Sequence, residues 1–349
     1  VVKRAAFALT AEKRNAMSAP THPTPAALWR APLFACALVF ALAACGGGGG
    51  GTPGPTPTPT APPANLIVPP AGSIYLGAYV NTSGAPVALI SDLTSFEAQV
   101  GRKMVLTEHY YGFYSTFPTA AETEDLSEGR VPIESWGCQP SNAQIAAGSA
   151  DAAIVARAKA LRAFGKPIFL RYEWEMNVPT TATYRSACYD PATDEPNGVL
   201  SPTEFIAAWQ HIHAIFATAG ANNVIFLWNP AGATNGTPYY PGSGVVDWVG
   251  FDRYDTQSVS FEQTYAVPYR QLSVLGKPMM IAETGAYGPI QPIFFPQAAA
   301  ALQSSFPLVR AWVYFDAIGS GNDWEIAGSG LTAFAAMGAQ PYFAAQPPL

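Results

Sequence analysis

Charged side chains are scarce in this 349-residue chain: Asp, Glu, Lys and Arg together make up 12% of it, against 49% apolar residues. Little charge and much apolar surface exclude a disordered polyelectrolyte and leave material for a large core. Basic residues are in deficit, 18 against 24 acids, for a net charge of −6. Lys3, Arg4, Lys13, Arg14 and Arg30 fall in residues 1–44 with only Glu12 opposing them, so the remainder holds 13 basic and 23 acidic residues. That balance argues against a nucleic-acid binder, which carries a basic face, and against strongly anionic ligands. Histidine and cysteine number four each. No CxxC pair is present, and His211 and His213, two apart on a helix, point to different faces. No metal and no cofactor are expected. The chain also lacks a G-x-S-x-G elbow, a Walker A loop and any repeat of 20–50 residues, which disfavours serine hydrolases, P-loop enzymes and solenoids.

Glycine (31), proline (33) and aromatic residues (12%) are plentiful instead. Part of the glycine and proline is concentrated near the start. Arg30 precedes an apolar run, Ala31 to Ala44, of about 14 residues, which is short for a membrane span and suits the apolar region of a signal peptide. The run ends in Leu42-Ala43-Ala44-Cys45-Gly46, which looks like a bacterial lipobox. Cleavage there would leave an acylated Cys45, with residues 1–44 as lipoprotein signal and 45–66 as a Gly/Thr/Pro tether. The expectation is an exported, lipid-anchored protein of the bacterial cell envelope, at the outer membrane since Gly46 rather than Asp follows the cysteine. Cys36 lies in the apolar run, so Cys138 and Cys188 remain, and two leftover thiols in an exported domain are expected to form a disulfide.

Residues 67–349 read as one domain of alternating strand and helix. Strands are expected at Ser73–Val80, Lys103–Tyr110, Arg130–Trp136, Pro167–Glu175, Val224–Asn229, Val246–Tyr254, Pro278–Glu283 and Arg310–Phe315, with helices at Asp151–Phe164, Pro202–Ala219 and, more weakly, Gln297–Ser304. Ser201-Pro202-Thr203-Glu204 supplies an N-cap, a proline at the first helical position and a glutamate at the third, and Gly220 closes that helix. Eight such strands over about 280 residues match a (β/α)8 TIM barrel. A doubly wound sheet would show a glycine-rich phosphate turn after its first strand, and Val80-Asn81-Thr82-Ser83-Gly84 is not one.

Barrel chemistry sits at the C-terminal strand ends. The fourth strand closes on Arg171-Tyr172-Glu173-Trp174-Glu175-Met176-Asn177, where period 2 places Arg171, Glu173 and Glu175 on one face. An Arg171–Glu173 ion pair would be the structural explanation of the first two, leaving Glu175 at the rim; the alternative is that Arg171 orients a nucleophilic carboxylate. The seventh strand ends an apolar run in Glu283-Thr284-Gly285. Carboxyls from strands four and seven face each other across a barrel mouth and could flank one glycosidic bond, as acid/base and nucleophile. Trp136, Trp174, Trp228, Tyr254 and Phe315 stand near strand ends, where rings could stack on sugar faces. Trp248, mid-strand, reads as core. His109 could bond a sugar or be a plain polar loop residue.

These segments resemble glycoside hydrolase family 26, a retaining clan A family known for β-mannanases. Arg171-x-x-x-Glu175-Met176-Asn177 is similar to its acid/base segment, and Lys277-Pro278 through Gly285 to its nucleophile strand. Tyr240-Pro241-Gly242 with Val246 to Tyr254 is similar to its sixth strand, Val131 to Trp136 to its third and Phe226 to Pro230 to its fifth. The resemblance implies Glu175 as acid/base and Glu283 as nucleophile. It implies substrate-site roles for Arg171, Asn177, Asp252 and Tyr254, with Tyr254 touching the nucleophile, and a sugar contact for Trp136. Two departures stand out. Trp174 occupies the position where the family usually has histidine, and Val178-Pro179-Thr180-Thr181 replaces the usual Asn-Gly and Trp of mannanases. The implied activity is hydrolysis of a β-linked polysaccharide or oligosaccharide, mannan-type first, by a monomer. The alternatives are a β-1,3/1,4-glucanase or xylanase on the same frame, or a surface glycan-binding lipoprotein without activity. The presence of both Glu175 and Glu283 speaks against that last option.

Overall fold

Eight runs of five to eleven residues form strands, and β-branched and aromatic residues are most concentrated in Ile168–Tyr172 and Val224–Trp228. The structure is a computed structural model and describes residues 67–179, 188–190, 192, 194, 198–256, 260–319 and 321–349. The expected signal segment, Cys45, the tether and Thr180-Thr181 lie outside them. In chain order the elements are β1 (Tyr75–Asn81), α1 (Ile90–Val100), β2 (Leu106–Tyr111), α2 (Ala120–Ser127), β3 (Val131–Trp136), α3 (Asn142–Ala146), α4 (Asp151–Phe164) and β4 (Ile168–Tyr172). They continue as α5 (Pro202–Ala219), β5 (Val224–Trp228), β6 (Trp248–Asp255), α6 (Phe261–Ser273), β7 (Met279–Ala286), α7 (Gln291–Ser304), β8 (Val309–Gly319), a two-residue β9 (Asn322–Asp323) and α8 (Ser329–Gly338). Strands β1 to β8 pair in sequence order, all parallel, and β8 closes on β1. The fold is a (β/α)8 barrel.

Period 2 along the strands sorts the core into two layers. Tyr75, Leu106, Ile133, Phe169, Ile225, Leu227, Trp248, Met280 and Val313 point inward and fill the barrel. Their neighbours, among them Leu76, Leu170, Phe226, Ile281 and Trp312, face the helices. Helix α5 forms as its sequence implies: Ser201 accepts from the Glu204 N–H and Gly220 ends it at φ 71°. Helix α7 begins at Gln291, ahead of the expected Gln297: Pro292 lies in the first turn, where its missing N–H costs no intrahelical bond, and Pro296 is carried inside the helix at the cost of one.

Two strand ends depart from simple alternation, and both matter for the site. Strand β4 stops at Tyr172, short of the expected Glu175; Glu173 and Glu175 adopt φ of 44° and 57°, so Arg171, Glu173 and Glu175 do not share a strand face. In β7 the pairing with β6 runs Phe251 to Ile281 and then Asp252 to Glu283, leaving Ala282 unopposed. This bulge turns Glu283 inward, whereas strict alternation would aim it with Met279 and Ile281 at the helices.

Cys138 and Cys188 are joined as a disulfide, with Cα atoms 5.2 Å apart, tying the loop after β3 to the loop after β4. Closing this 50-residue separation is worth roughly 3–4 kcal/mol in the chain-entropy view. Thiol titration of the unreduced, denatured domain should find neither cysteine reactive, and reduction should lower the melting temperature by several degrees. Two titratable thiols before reduction would disprove the bond.

Candidate active site

Above the apolar barrel filling, the inward positions become polar. Arg171 follows Phe169 on the inner face of β4 and is fully buried. Its guanidinium donates to Asp252 on β6 (3.1 and 3.2 Å), to Glu283 on β7 (2.5 Å) and to Ser135 on β3 (2.7 Å), and it pairs with Glu108 on β2. β4 ends before Glu173, and the side chain of Arg171 runs inward to three carboxyls from other strands, Glu283 among them, so of the two expected roles the contact with Glu283 is the one seen. Glu283 also accepts from Tyr110 (2.8 Å) and Tyr254 (2.6 Å), so its two oxygens take three donors.

The charges follow from burial. Three carboxyls face one guanidinium, and burying a carboxylate without full compensation favours its neutral form. Burial lifts Glu108 to about 7 even with Arg171 opposing it. Burial, and then the charge of Glu283, lifts Asp252 well above the carboxylate range. Burial also raises Tyr110 and Tyr254 far above the phenol range, with neighbouring carboxylates adding to it, so both stay protonated donors. Arg171 is held charged by Glu108, Asp252 and Glu283 against the cost of its burial.

This cluster floors a cleft of about 770 Å³ at the C-terminal end of the barrel. Glu283, Glu175, Trp174, Tyr254 and Phe315 line it. The main chain fixes Glu175, whose N–H donates to the Asn229 carbonyl at 2.7 Å. Its charge acts on Asp252 and Tyr254, which places both glutamates in one electrostatic field. Trp174 packs edge-on against Tyr110, with the Arg171 guanidinium 5.2 Å from its ring centre. Phe315 stacks on Tyr79, which also lines the cleft. Gly285 lets β7 approach its neighbours: a Cβ there would lie 2.6 Å from the Tyr254 ring and 2.9 Å from that of Trp324.

Other residues expected at the substrate lie elsewhere. Trp136 does not line the cleft; it is fully buried, stacks on Phe113 at 4.7 Å and donates to the Phe113 carbonyl, because it faces the helices rather than the barrel mouth. Trp228 likewise faces outward and packs edge-on against Tyr240. Asn177 is a staple between loops, donating to Ala231 O (3.0 Å) and Thr234 Oγ1 (2.7 Å) and accepting from the Ala231 N–H. Asp252 sits behind Glu283, bound to Arg171, and not on the cleft wall. His109 turns away from the cleft to Asp125 (2.6 Å); burial alone would lower it, but that bond raises it on balance. Trp248 is core, as its mid-strand place implied. Glu108, Tyr110 and Trp324 were not singled out from sequence. Alternation in Leu106-Thr107-Glu108-His109-Tyr110 does put Glu108 and Tyr110 on the face of core Leu106, which was the available signal.

Residues 201–334 match the family model "Glycosyl hydrolase family 26". The chain is 30% identical over 269 residues to Endoglucanase H of Acetivibrio thermocellus, covering 72% of this chain. The chain belongs to glycosyl hydrolase family 26. A second match is to a mannan endo-1,4-beta-mannosidase of Bacillus subtilis, 31% identical over 101 residues and 28% of this chain. The chain spans only 28% and 26% of these two relatives' lengths. Among solved structures, a GH26 β-mannanase from Bacteroides ovatus superposes with TM-score 0.57 at 14% identity, covering 78% of this chain and 90% of that one. A Bacillus subtilis mannanase gives 0.55 at 17% identity, with 76% and 85% covered. At these identities the likeness extends to the family-26 fold alone.

The raised Glu108 has a consequence for stability. A carboxyl whose folded pKa of about 7 exceeds its unfolded value of roughly 4.5 stabilises the fold fully below the unfolded value, and that contribution is lost as pH rises through 7. Glu108→Gln should therefore flatten the fall in melting temperature between pH 5 and 8. An unchanged slope would show that Glu108 is not protonated there.

Proposed function

We propose that this chain is an endo-acting β-glycan hydrolase working by a retaining double displacement, with Glu283 as nucleophile and Glu175 as acid/base. The observation that carries the reading is Glu283, turned into the cleft by the β7 bulge and held by Tyr110, Tyr254 and Arg171, with Glu175 on the same cleft. Glu283 attacks the anomeric carbon while Glu175 gives its proton to the departing glycosidic oxygen, leaving a glycosyl-enzyme ester. A water then gives its proton to Glu175, and its oxygen displaces Glu283 from the anomeric carbon. Tyr110, Tyr254 and Arg171 fix the nucleophile and restrict its rotation throughout.

A β-mannan or glucomannan backbone is the first reading of the substrate, supported by the family resemblance and by the relative named as a mannan endo-1,4-beta-mannosidase. A β-glucan is the second. It is favoured by the longer match to a protein named an endoglucanase and by Trp174, whose apolar ring replaces a hydrogen-bonding histidine beside the acid/base. Cell-envelope location through acylated Cys45 is part of the same proposal, since an anchored hydrolase on a tether works on polymer outside the cell.

The reading is open to direct tests. Reducing-sugar release from mannan, glucomannan, lichenan, laminarin and xylans identifies the backbone, and no release from any of them would refute the hydrolase reading. Glu283→Ala should lose essentially all turnover. Glu175→Ala should lose about 10²- to 10⁴-fold on natural glycan but far less on an aryl glycoside with a good leaving group, and azide should accelerate it. Proton NMR should show the β-anomer first; an initial α-anomer from a β-linked substrate means inversion and a different assignment. For location, Cys45→Ala should release the protein from membranes, and equal membrane retention would refute acylation.

A further inference from the structure

The half-buried Arg253, on β6, makes no side-chain hydrogen bond or ion pair among the described residues, and its Nε is shielded from solvent. The other buried or half-buried arginines among those residues, Arg102, Arg130, Arg157, Arg171 and Arg310, each donate to a carbonyl, a carboxylate or a hydroxyl. A guanidinium carries five N–H donors, and withdrawing it from water without an acceptor is costly. Asp255, the next residue on that face of the strand, is buried, and no ion pair joins it to Arg253.

Alternation turns Asp252 and Tyr254 inward, to Arg171 and Glu283, and leaves Arg253 with Phe251 on the outer face of β6. There it borders a second pocket, of about 600 Å³, between the start of α6 and the loop after β5. Gly232, Gln263, Thr264 and Val267 line this pocket with it, and none of the described residues that line it is acidic. Thr264 is 8% exposed, and its Oγ1 is buried without a hydrogen-bond partner. Gln263 accepts from the Ser260 N–H with its amide oxygen (3.3 Å), which leaves its NH2 group to donate elsewhere. Buried polar groups normally find partners inside the fold. Two that find none, on one pocket, mark a place for an acceptor from outside.

We propose that this pocket binds a single carboxylate, carried by a uronic acid unit of the glycan, with Arg253 as its fork and Thr264 and Gln263 as further donors. This rests on the β-glycan hydrolase reading and names a charged substituent that the enzyme selects. The planar guanidinium matches a carboxylate with two parallel N–H bonds. Arg253 also lines the catalytic cleft, so cleft and pocket adjoin at this residue, and a substituent on a chain in the cleft meets the pocket there. Val267, 48% exposed, offers the sugar an apolar contact beside the donors. One carboxylate is a far smaller demand than the polyanion that a net charge of −6 disfavours.

Calorimetric titration of the whole chain with methyl glucuronoside, beside its uncharged methyl ester, tests the pocket. The acid should bind about tenfold tighter or more. Arg253→Met should abolish that preference, Arg253→Lys should keep part of it, and Thr264→Val should weaken binding of the acid roughly two- to fivefold. Because Arg253 has no side-chain partner in the fold, Arg253→Met should not lower the melting temperature; a fall of several degrees would assign it a structural role instead. Equal binding of acid and ester, or a preference unchanged in Arg253→Met, overturns the proposal. In native gels a glucuronate-bearing xylan should retard the protein more than the same polymer after carboxyl reduction. If free glucuronate binds through Arg253 and the two polymers retard equally, the ligand is a small free acid and the uronate reading is overturned. None of these measurements needs turnover, so failure of the hydrolase reading shows separately, as absence of reducing-sugar release.

Discussion

The guanidinium of Arg171 lies buried at the top of the barrel, in reach of carboxyls from β2, β6 and β7 at once. A lone buried cation is costly, and so is each carboxylate around it. Together they are tolerable because the surplus negative charge is removed by protons: burial raises Glu108 and Asp252, so that neither has to be ionised beside Glu283. The upper barrel therefore settles as a hydrogen-bonded network in which Arg171, Ser135, Tyr110 and Tyr254 supply donors and the carboxyls accept. Loss of Arg171 would leave several buried carboxyls competing for too few donors, which makes it the constraint on which the site geometry depends.

A second buried network supports the wall of the cleft. Arg130 bonds Glu97 (2.6 and 2.9 Å) and Asp125, and Asp125 in turn holds His109. Glu122 closes the capping box of α2 with Thr119 and accepts from Tyr111, a cleft residue. Burial and the nearby charge of Glu122 raise Glu134 well above the carboxylate range. Strands β2 and β3 are thus anchored to α1 and α2 by polar pairs on their outer faces while Glu108, Tyr110 and Ser135 work on the inner ones. Alternation makes one short strand serve two networks.

The barrel was legible because its strands are separate apolar runs and because α5 carries its own start and stop signals. The paired glutamates were legible because a carboxyl at the end of an apolar strand is anomalous. What sequence could not supply was direction. The rule of alternation fails where a strand ends early, as at Tyr172, or gains a residue, as at Ala282, and neither event has a glycine or proline to announce it. Trp136 and Trp228 differ: alternation from inward Ile133 and Leu227 already turns both rings to the helices, which nearness to a strand's C-terminus alone does not show. Helix α6 stayed hidden although Phe261, Tyr265, Pro268 and Leu272 fall at helical spacing, because a proline inside the run reads as a breaker.

The two glutamates of the cleft show different kinds of contact. Side-chain donors grip Glu283 at both oxygens, which holds it in one orientation. Glu175 is set by backbone. Glu173 and Glu175 both adopt the left-handed region that non-glycine residues avoid, at a cost of order 1 kcal/mol or more each, and only a surrounding structure that over-determines the turn makes this persist. That surrounding is visible: Glu173 N–H donates to Trp136 O at 2.9 Å, Glu175 N–H to Asn229 O at 2.7 Å, and Asn177 staples the turn to Ala231 and Thr234. Trp174, between the two strained residues, is thereby pressed into the cleft. Fixing its main chain sets where Glu175 stands on the cleft, and the cost of the fixation falls on the peptide backbone.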